Sequence, residues 1–374
     1  MWLQQLNKNK GEAIIMGKKK RKIYFKSLDE LAKEKLESMI SVGESKSEDR
    51  KEDGGTRGHI YSWDTYSVYR RHVLYFIRWV MENYPDCTTL KAAKRLVPEW
   101  LQFRADFIKD NGEHLSAWTI KLETSALNKL YELDDTKDRF KCPVVRERGN
   151  IHRSREEADR DKHFSTTKNA DLIHFCEGVG ARRDVLEKMK GDDYWTRDRM
   201  QQKLKELSAM DESTLTKREK VIKRAIREAL ETYSGDNIAC LEEMQDFVLH
   251  RQDKNGKHRF APIVGPHKDD IVLRFTETGE NEKVWPTVHD ACDVHYYRGN
   301  YAKTIYKMCA RDIEDIPCDK YHGGIHRMYQ SDVYFCRKEK AGMKYDKQAL
   351  RICSKALGHT RLNVIVDHYL YGLD

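Results

Sequence analysis

The chain has 374 residues, of which 39% are hydrophobic and 35% charged, with 69 Lys and Arg against 61 Asp and Glu. At about 150 residues per domain this length predicts two to three domains, and the apolar fraction excludes a wholly disordered chain. The longest apolar runs, such as 73–77, are far shorter than the roughly 18 residues that a membrane span needs, so a membrane protein is excluded. The net charge of +8 permits a polyanionic partner without requiring one.

The nine cysteines have no CxxC spacing, which argues against a zinc site. Residues 1–15 are polar and are interrupted by Lys8, Lys10 and Glu12, unlike a secretory leader. We therefore expect a cytoplasmic protein whose thiols are reduced and form no disulfide framework. Most of these cysteines are expected to pack as small hydrophobic side chains.

Residues 1–60 are predicted to be a basic and polar segment that is partly disordered. Residues 17–22 form a basic cluster, and residues 41–58 are rich in Ser, Glu, Asp and Gly with little to bury. The basic cluster is typical both of a solvated tail and of a phosphate-binding segment, and the sequence leaves that choice open. The pattern also allows a short helix around residues 28–40.

Residues 61–135 are predicted to form a small all-helical domain. The first helix carries an apolar stripe at helical spacing and has Asp64 as its cap. A second helix begins at Pro98 and extends through 108, and a third covers 117–133. Aromatic residues of these stripes are expected in the core, whereas basic side chains lie on the outer faces. Residues 136–162 are predicted to be a charged linker.

Residues 163–374 are predicted to be mainly helical with one β-hairpin. The apolar segments 247–250 and 260–263 flank the sequence Asp-Lys-Asn-Gly-Lys, which is typical of a hairpin with a tight Asn-Gly turn. Residues 189–236 are highly charged and mostly helical, with a narrow apolar stripe. We therefore predict a mainly α fold with a small antiparallel β-sheet, in the α+β class.

Five short elements carry side chains suited to one reaction. In chain order they are Gly178-Val-Gly-Ala-Arg182-Arg183 after a helix, Lys254 at the hairpin tip, His295-Tyr-Tyr-Arg298, Leu357-Gly-His359, and Tyr369. Attack on a phosphodiester builds negative charge on the non-bridging oxygens, which guanidinium groups match and neutralise. A histidine suits removal of a proton from a hydroxyl nucleophile, and a lysine ammonium suits protonation of the leaving oxygen. Because fixed cations do this electrostatic work, we expect neither a metal nor a cofactor.

These elements resemble, in their order and local context, the catalytic domain of the tyrosine recombinases, the phage-integrase family. The likeness covers about residues 162–374, and the helical domain at 61–135 resembles the core-binding domain of the family. By this resemblance Tyr369 attacks the phosphate, forms a 3′-phosphotyrosyl bond and frees a 5′-hydroxyl. The other implied roles are transition-state stabilisation by Arg182, Arg298 and His359, proton acceptance by His295, and proton donation by Lys254.

The resemblance implies a site-specific DNA recombinase, an integrase or resolvase of a mobile element, whose two domains clamp a DNA duplex. It implies a homotetramer on double-stranded DNA and allows an accessory DNA-bending protein. No nucleotide cofactor is required, because the phosphotyrosyl bond conserves the energy of the phosphodiester. Two alternatives stay open: a type IB topoisomerase-like or hairpin-telomere resolvase enzyme, and a catalytically inactive DNA-binding regulator on the same scaffold.

The spacing between the elements is longer than is usual in the family. We therefore predict two insertions, one at 189–236 that forms a helical hairpin and one at 311–345. The second insertion contains His326-Arg327, which competes with the earlier histidine–arginine box. The box needs a histidine three positions before its arginine, but that position holds Gly324, so the earlier box is preferred.

Each element taken alone also has an ordinary structural explanation. Arg182 and Arg183 are typical of a basic helix end, and Leu357-Gly-His359 of a helix C-terminus with a left-handed glycine. Tyr369 fits a core position, and it lies one residue farther from His359 than is usual, so Tyr371 is the alternative nucleophile. The combination of all five elements in the order of the family favours the recombinase interpretation.

Overall fold

A computed structural model describes residues 26–44, 46–52, 55–133, 137–147, 164–234, 241, 244–253, 256–316, 332–337 and 340–373. The chain divides into two compact units, an N-terminal unit Met1–Arg146 and a C-terminal unit Glu147–Asp374, and the division falls within the predicted linker. Helix makes up 54% and strand 10% of the structure, which confirms the mainly helical α+β class. The basic cluster at 17–22, Lys254 and the His326-Arg327 pair lie outside the described residues.

The N-terminal unit is helical in its described part. Its helices are α1 Leu28–Glu37, α2 Lys46–Glu52, α3 Trp63–Asn83, α4 Leu90–Ala93, α5 Val97–Asp106 and α6 Ala117–Leu130, with a 3₁₀ turn over Lys94–Leu96 between α4 and α5. The long helix α3 begins at Ser62 rather than at the predicted cap Asp64, because the Ser62 hydroxyl accepts a hydrogen bond from the Thr65 N–H (3.2 Å). The apolar stripe of α3 lies fully buried, at Val73, Phe76, Ile77 and Val80.

Helix α1 belongs to the core of the N-terminal unit instead of preceding it. Leu28, Ala32 and Leu36 are buried in the same apolar cluster as α3. The helix start is fixed by a capping box, in which the Ser27 N–H donates to the Glu30 side chain (2.9 Å). The remaining positions of α1 are mostly charged, so composition alone placed this segment outside the domain.

Two predicted helix ends in the N-terminal unit differ from the structure. Helix α5 has Pro98 in its first turn as expected but ends at Asp106, and Ile108 instead forms an antiparallel bridge with His114. This return of the chain is possible because Gly112 adopts a left-handed φ of +81°. Helix α6 ends at Leu130, three residues before the predicted end.

The C-terminal unit combines helices with two small antiparallel sheets. Its helices are α7 Ala170–Val179, α8 Arg183–Leu186, α9 Arg197–Ala209, α10 Lys217–Thr232, α11 Lys268–Glu277, α12 Val294–Cys309, α13 Lys347–Ala356 and α14 Leu362–His368. Its strands are β1 Tyr194–Thr196, β2 Asp246–Asp253, β3 Lys257–Pro262, β4 Val333–Phe335 and β5 Lys344–Asp346. Strands β1, β2 and β3 pair in that order, and β4 pairs with β5.

The predicted β-hairpin is confirmed by strands β2 and β3, which pair antiparallel with Phe247 opposite Pro262 and Val248 opposite Ala261. Asn255 of its predicted turn lies outside the described residues. Strand β1 was not predicted, because three residues are too few to show an alternating pattern.

The charged segment 189–236 contains the predicted helical hairpin, α9 and α10. Helix α10 begins with a capping box of Thr216 and Glu219. Its buried face, at Ile226 and Ala229, belongs to the same apolar cluster as strand β2 and helix α13. The segment is therefore an integral part of the core of the C-terminal unit.

Helix α12 is shared by the two apolar clusters of the C-terminal unit. Tyr301 and Ile305 pack with the sheet, α10, α13 and α14, whereas Val294 and Tyr297 pack with α7 and α11. The first turn of α12 is thereby held between the end of α7 and the last two helices. In the part of the chain that the structure describes, none of the helices has the length and apolarity to cross a membrane.

Candidate active site

Arg298 lies at the centre of the candidate site. The Asp293 side chain caps α12 by accepting from the Tyr296 N–H (3.2 Å), and a spacing of three puts His295 and Arg298 on one face of the helix. Arg298 is 1% exposed. Its guanidinium donates to the Gly180 carbonyl and to the Leu357 carbonyl, so it joins the end of α7 to the end of α13. Burial lowers the pKa of Arg298 to about 10, which leaves it cationic at neutral pH.

Gly180 gives the chain the turn that places Arg182. It ends α7 with a left-handed φ of +60°, and a Cβ there would lie 2.2 Å from Cδ1 of Tyr301. Arg182 follows as the N-cap residue of α8, and its side chain is 21% exposed. The Arg182 guanidinium donates to a carboxylate oxygen of Asp253, the last residue of β2.

Asp253 and Arg259 form a buried ion pair across the hairpin. The Arg259 Nε donates to Asp253 Oδ2 (2.9 Å), and its Nη1 donates to the Ala356 carbonyl at the end of α13. Burial alone would raise the pKa of Asp253, but the charges of Arg259 and Arg182 outweigh it and hold this pKa well below its usual range. Asp253 is thus an ionised carboxylate between two arginines.

His250 completes this network from strand β2. Its Nδ1 lies 2.7 Å from Nη2 of Arg259 and accepts that hydrogen bond. The residue is fully buried, and burial, reinforced by the charge of Arg259, lowers its pKa well below the usual range. His250 is therefore neutral at physiological pH, and it supports Arg259 without adding charge.

Gly358 brings His359 against this network. Helix α13 ends at Leu357, and Gly358 follows with a left-handed φ of +68°. A Cβ on Gly358 would lie 2.8 Å from the Arg259 Nε and 3.2 Å from Asp253 Oδ2. The His359 N–H then donates to the Ser354 carbonyl (2.7 Å), which fixes the turn.

Tyr369 closes the site at the end of α14. It is 4% exposed, and its hydroxyl oxygen lies 3.1 Å from Nε2 of His359. The ring of His295 lies edge-on to the Tyr369 ring, with centroids 5.4 Å apart. The Arg298 guanidinium carbon is 5.7 Å from the centre of the same ring. The phenol thus contacts two imidazoles and one guanidinium.

Tyr371, the alternative nucleophile, has different neighbours. Its hydroxyl lies where a Cβ on Gly299 would be 2.7 Å away, and the Lys303 ammonium is 4.2 Å from the centre of its ring. The structure therefore brings together five of the six predicted site residues, namely Arg182, His295, Arg298, His359 and Tyr369. The sixth, Lys254, directly follows Asp253 in the sequence.

Sequence reasoning missed Asp253, Arg259 and His250. The signal that was available is their position in the hairpin beside Lys254, since ionised side chains in a buried strand need partners. Among the residues that the structure describes, the metal-ligand side chains that converge within 4.8 Å of one another are Glu44, Asp49 and His59 of the N-terminal unit. No protein-family model matches the chain, and no curated protein matches it.

Proposed function

We propose that the chain is a site-specific DNA recombinase of the tyrosine-recombinase type, with Tyr369 as the nucleophile. The observation that carries this proposal is the hydrogen-bond distance of 3.1 Å between the Tyr369 hydroxyl and Nε2 of His359, beside the buried guanidinium of Arg298. A phenol next to an imidazole and a fixed cation is the arrangement that nucleophilic attack on a phosphodiester requires. Both partners come from the same chain, so the proposal includes attack by each protomer within its own site.

The proton of Tyr369 has its nearest acceptor in His359. In the tautomer that carries its hydrogen on Nδ1, Nε2 of His359 accepts the phenolic hydrogen. The family resemblance gives the same task to His295, whose ring is also in contact with Tyr369. We assign the task to His359 because its nitrogen is at hydrogen-bond distance, and we assign His295 to holding the phenol ring.

The arginines account for the phosphate. Two of them, Arg182 and Arg298, lie on either side of the turn at Gly180, and the partly exposed Arg182 has guanidinium edges beyond the one bound by Asp253. Negative charge on the non-bridging oxygens of a five-coordinate phosphorus is stabilised by donors that are fixed before the reaction. Lys254, next to Asp253 in the chain, takes the role of the acid that protonates the leaving 5′-oxygen.

The proposed substrate is duplex DNA, held also by the N-terminal unit. A cavity of about 480 Å³ in that unit is lined by cationic side chains, namely Lys121, Lys137, Arg139, Lys141 and Arg146. Clustered lysines and arginines of this kind neutralise backbone phosphates and release counterions. Exchange of strands between two sites requires four protomers on DNA, and the phosphotyrosyl bond makes a nucleotide cofactor unnecessary.

The test is covalent trapping on DNA. A pool of duplexes with randomised centres and a nick in one strand is incubated with the protein, and denaturation-resistant adducts are isolated. We expect adducts with the wild type and with Tyr371→Phe, and none with Tyr369→Phe. DNA binding without any adduct points to an inactive regulator, and loss of adduct only in Tyr371→Phe shows that the nucleophile is wrong. Plasmid relaxation by a monomer, without exchange of flanking DNA, points to a topoisomerase-like enzyme.

A further inference from the structure

Two buried cysteines face each other next to the candidate site. Cys176 lies in α7 and Cys292 lies two residues before the first residue of α12, and they are 2% and 3% exposed within one apolar cluster. Both are free thiols, and the Cys176 thiol donates a hydrogen bond to the Cys292 sulfur. The pair therefore joins two segments that are far apart in sequence.

Arg183 gives this pair an electropositive environment. Its Nη2 donates to the Cys292 carbonyl (2.6 Å), and its Nη1 is buried with no hydrogen-bond partner among the described residues, although a Glu187 oxygen is 3.6 Å away. The hydrogen bond from Cys176 and the charge of Arg183 lower the pKa of Cys292, while Asp293 opposes them. The Arg183 side chain is one-third exposed, which leaves a path from solvent to the thiols.

We propose that Cys176 and Cys292 are a redox-modification site that a peroxide converts to a disulfide. The Cys292 thiolate attacks one peroxide oxygen and breaks the O–O bond, which gives a sulfenic acid and releases hydroxide. The Cys176 sulfur then attacks the Cys292 sulfur, expels the sulfenic oxygen as water and gives up its proton. In total two thiols lose two electrons and two protons, and one hydrogen peroxide becomes two waters.

The modification site does not depend on the proposed function, but its location gives it a consequence for that site. Cys176 is four residues before Gly180, which accepts from Arg298, and Cys292 is three residues before His295. A covalent bond between these segments ties the turn that carries Arg182 to the first turn of α12. The pair is thus placed to link the oxidation state of the protein to the geometry of the arginines.

The test is oxidation of the full chain followed by mass spectrometry. After treatment with hydrogen peroxide and alkylation of the remaining thiols, we expect a peptide in which Cys176 is linked to Cys292, with a mass lower by two hydrogens and restored by dithiothreitol. Cys309 and Cys353, equally buried, are the internal controls and are expected to stay reduced, since burial raises the pKa of Cys353. Alkylation of both Cys176 and Cys292 after oxidation overturns the proposal.

Two further variants test the role of Arg183 and the order of the steps. Arg183→Gln is expected to slow disulfide formation about tenfold, the change in thiolate that one pKa unit gives, whereas Arg183→Lys retains most of the rate. In Cys176→Ser, Cys292 is expected to stop at a sulfenic acid that dimedone traps. Oxidation of Cys309 or Cys353 at the rate of Cys292, or a Cys292 that resists oxidation in Cys176→Ser, overturns the proposed chemistry.

Discussion

The hydroxyl of Tyr369 and the Nε2 of His359 lie 3.1 Å apart, so the end of α14 and the turn after α13 meet at one hydrogen bond. The bond spans ten residues and is closed by Gly358, which turns the chain, and by α14, which returns it. This relation makes His359 the residue whose loss should be felt most directly by the nucleophile.

His359→Asn is therefore expected to slow formation of the covalent adduct by about 10² or more, the usual contribution of a positioned general base, with DNA binding unchanged. Single-turnover trapping on the nicked substrate measures the rate. A substrate with sulfur at the 5′-bridging position should rescue Lys254→Ala, because a thiolate leaves without a proton, and should not rescue His359→Asn. Rescue of His359→Asn by this substrate would make His359 an acid instead.

The carboxylate of Asp253 holds Arg182 and Arg259 together, so Asp253→Asn is expected to weaken both fold and chemistry. Breaking a buried ion pair costs about 3–5 kcal/mol, and displacement of a group by about 1 Å can cost 10²-fold in rate. The matched control is Asp346→Asn at the other end of α13, where the buried Asp346 carboxylate accepts from Arg311 at 2.8 and 2.9 Å.

Urea denaturation and single-turnover trapping distinguish the two variants. Both are expected to lose stability, because each leaves an arginine without its anion, but only Asp253→Asn is expected to slow adduct formation beyond what its stability explains. Equal rates for the two variants at matched folded fractions would show that Asp253 has no special relation to the site.

Gly358→Ala is expected to destabilise the protein more than Gly372→Ala does. Both glycines have a φ of +68°, so the backbone penalty of about 1–2 kcal/mol is shared. A Cβ on Gly358 also meets the Arg259 Nε at 2.8 Å, whereas a Cβ on Gly372 has nothing within 4 Å. Overpacking of this kind costs about 1–3 kcal/mol more, measurable as the difference between the free energies of unfolding. Equal losses would mean that Arg259 yields without cost.

The buried, neutral His250 predicts a pH dependence of stability. Its folded pKa lies below the unfolded value of about 6.5, so below that pH the unfolded chain binds a proton that the folded chain does not. The free energy of unfolding should therefore fall as the pH falls, by about 1.4 kcal/mol per pH unit from this residue. His250→Asn, whose amide oxygen can accept from Arg259, should lack that slope between pH 6 and pH 5 in urea titrations. The same slope in both proteins would contradict it.

Local patterns predicted those parts of the fold that local interactions decide. The hairpin of β2 and β3, the stripe of α12 and the glycine that ends α13 all follow from strand alternation, helical period and the left-handed backbone that glycine tolerates. Where the structure differs, the cause is long-range. Helix α1 is highly charged yet buries three apolar residues against α3, and strand β1 exists because β2 pairs with it.

The sequence by itself determined which chemical groups are present and in what order, namely three arginines, several histidines and a late tyrosine on recognisable local elements. Only the tertiary structure decided that Arg259 joins Asp253 to the end of α13, through a contact that spans 97 residues. It also decided that Tyr369, with α14 held by the buried Ile365 and Val366, meets His359. The physical reason is that periodicity reports which face of an element is buried, whereas the partner across the core depends on the packing of all elements together.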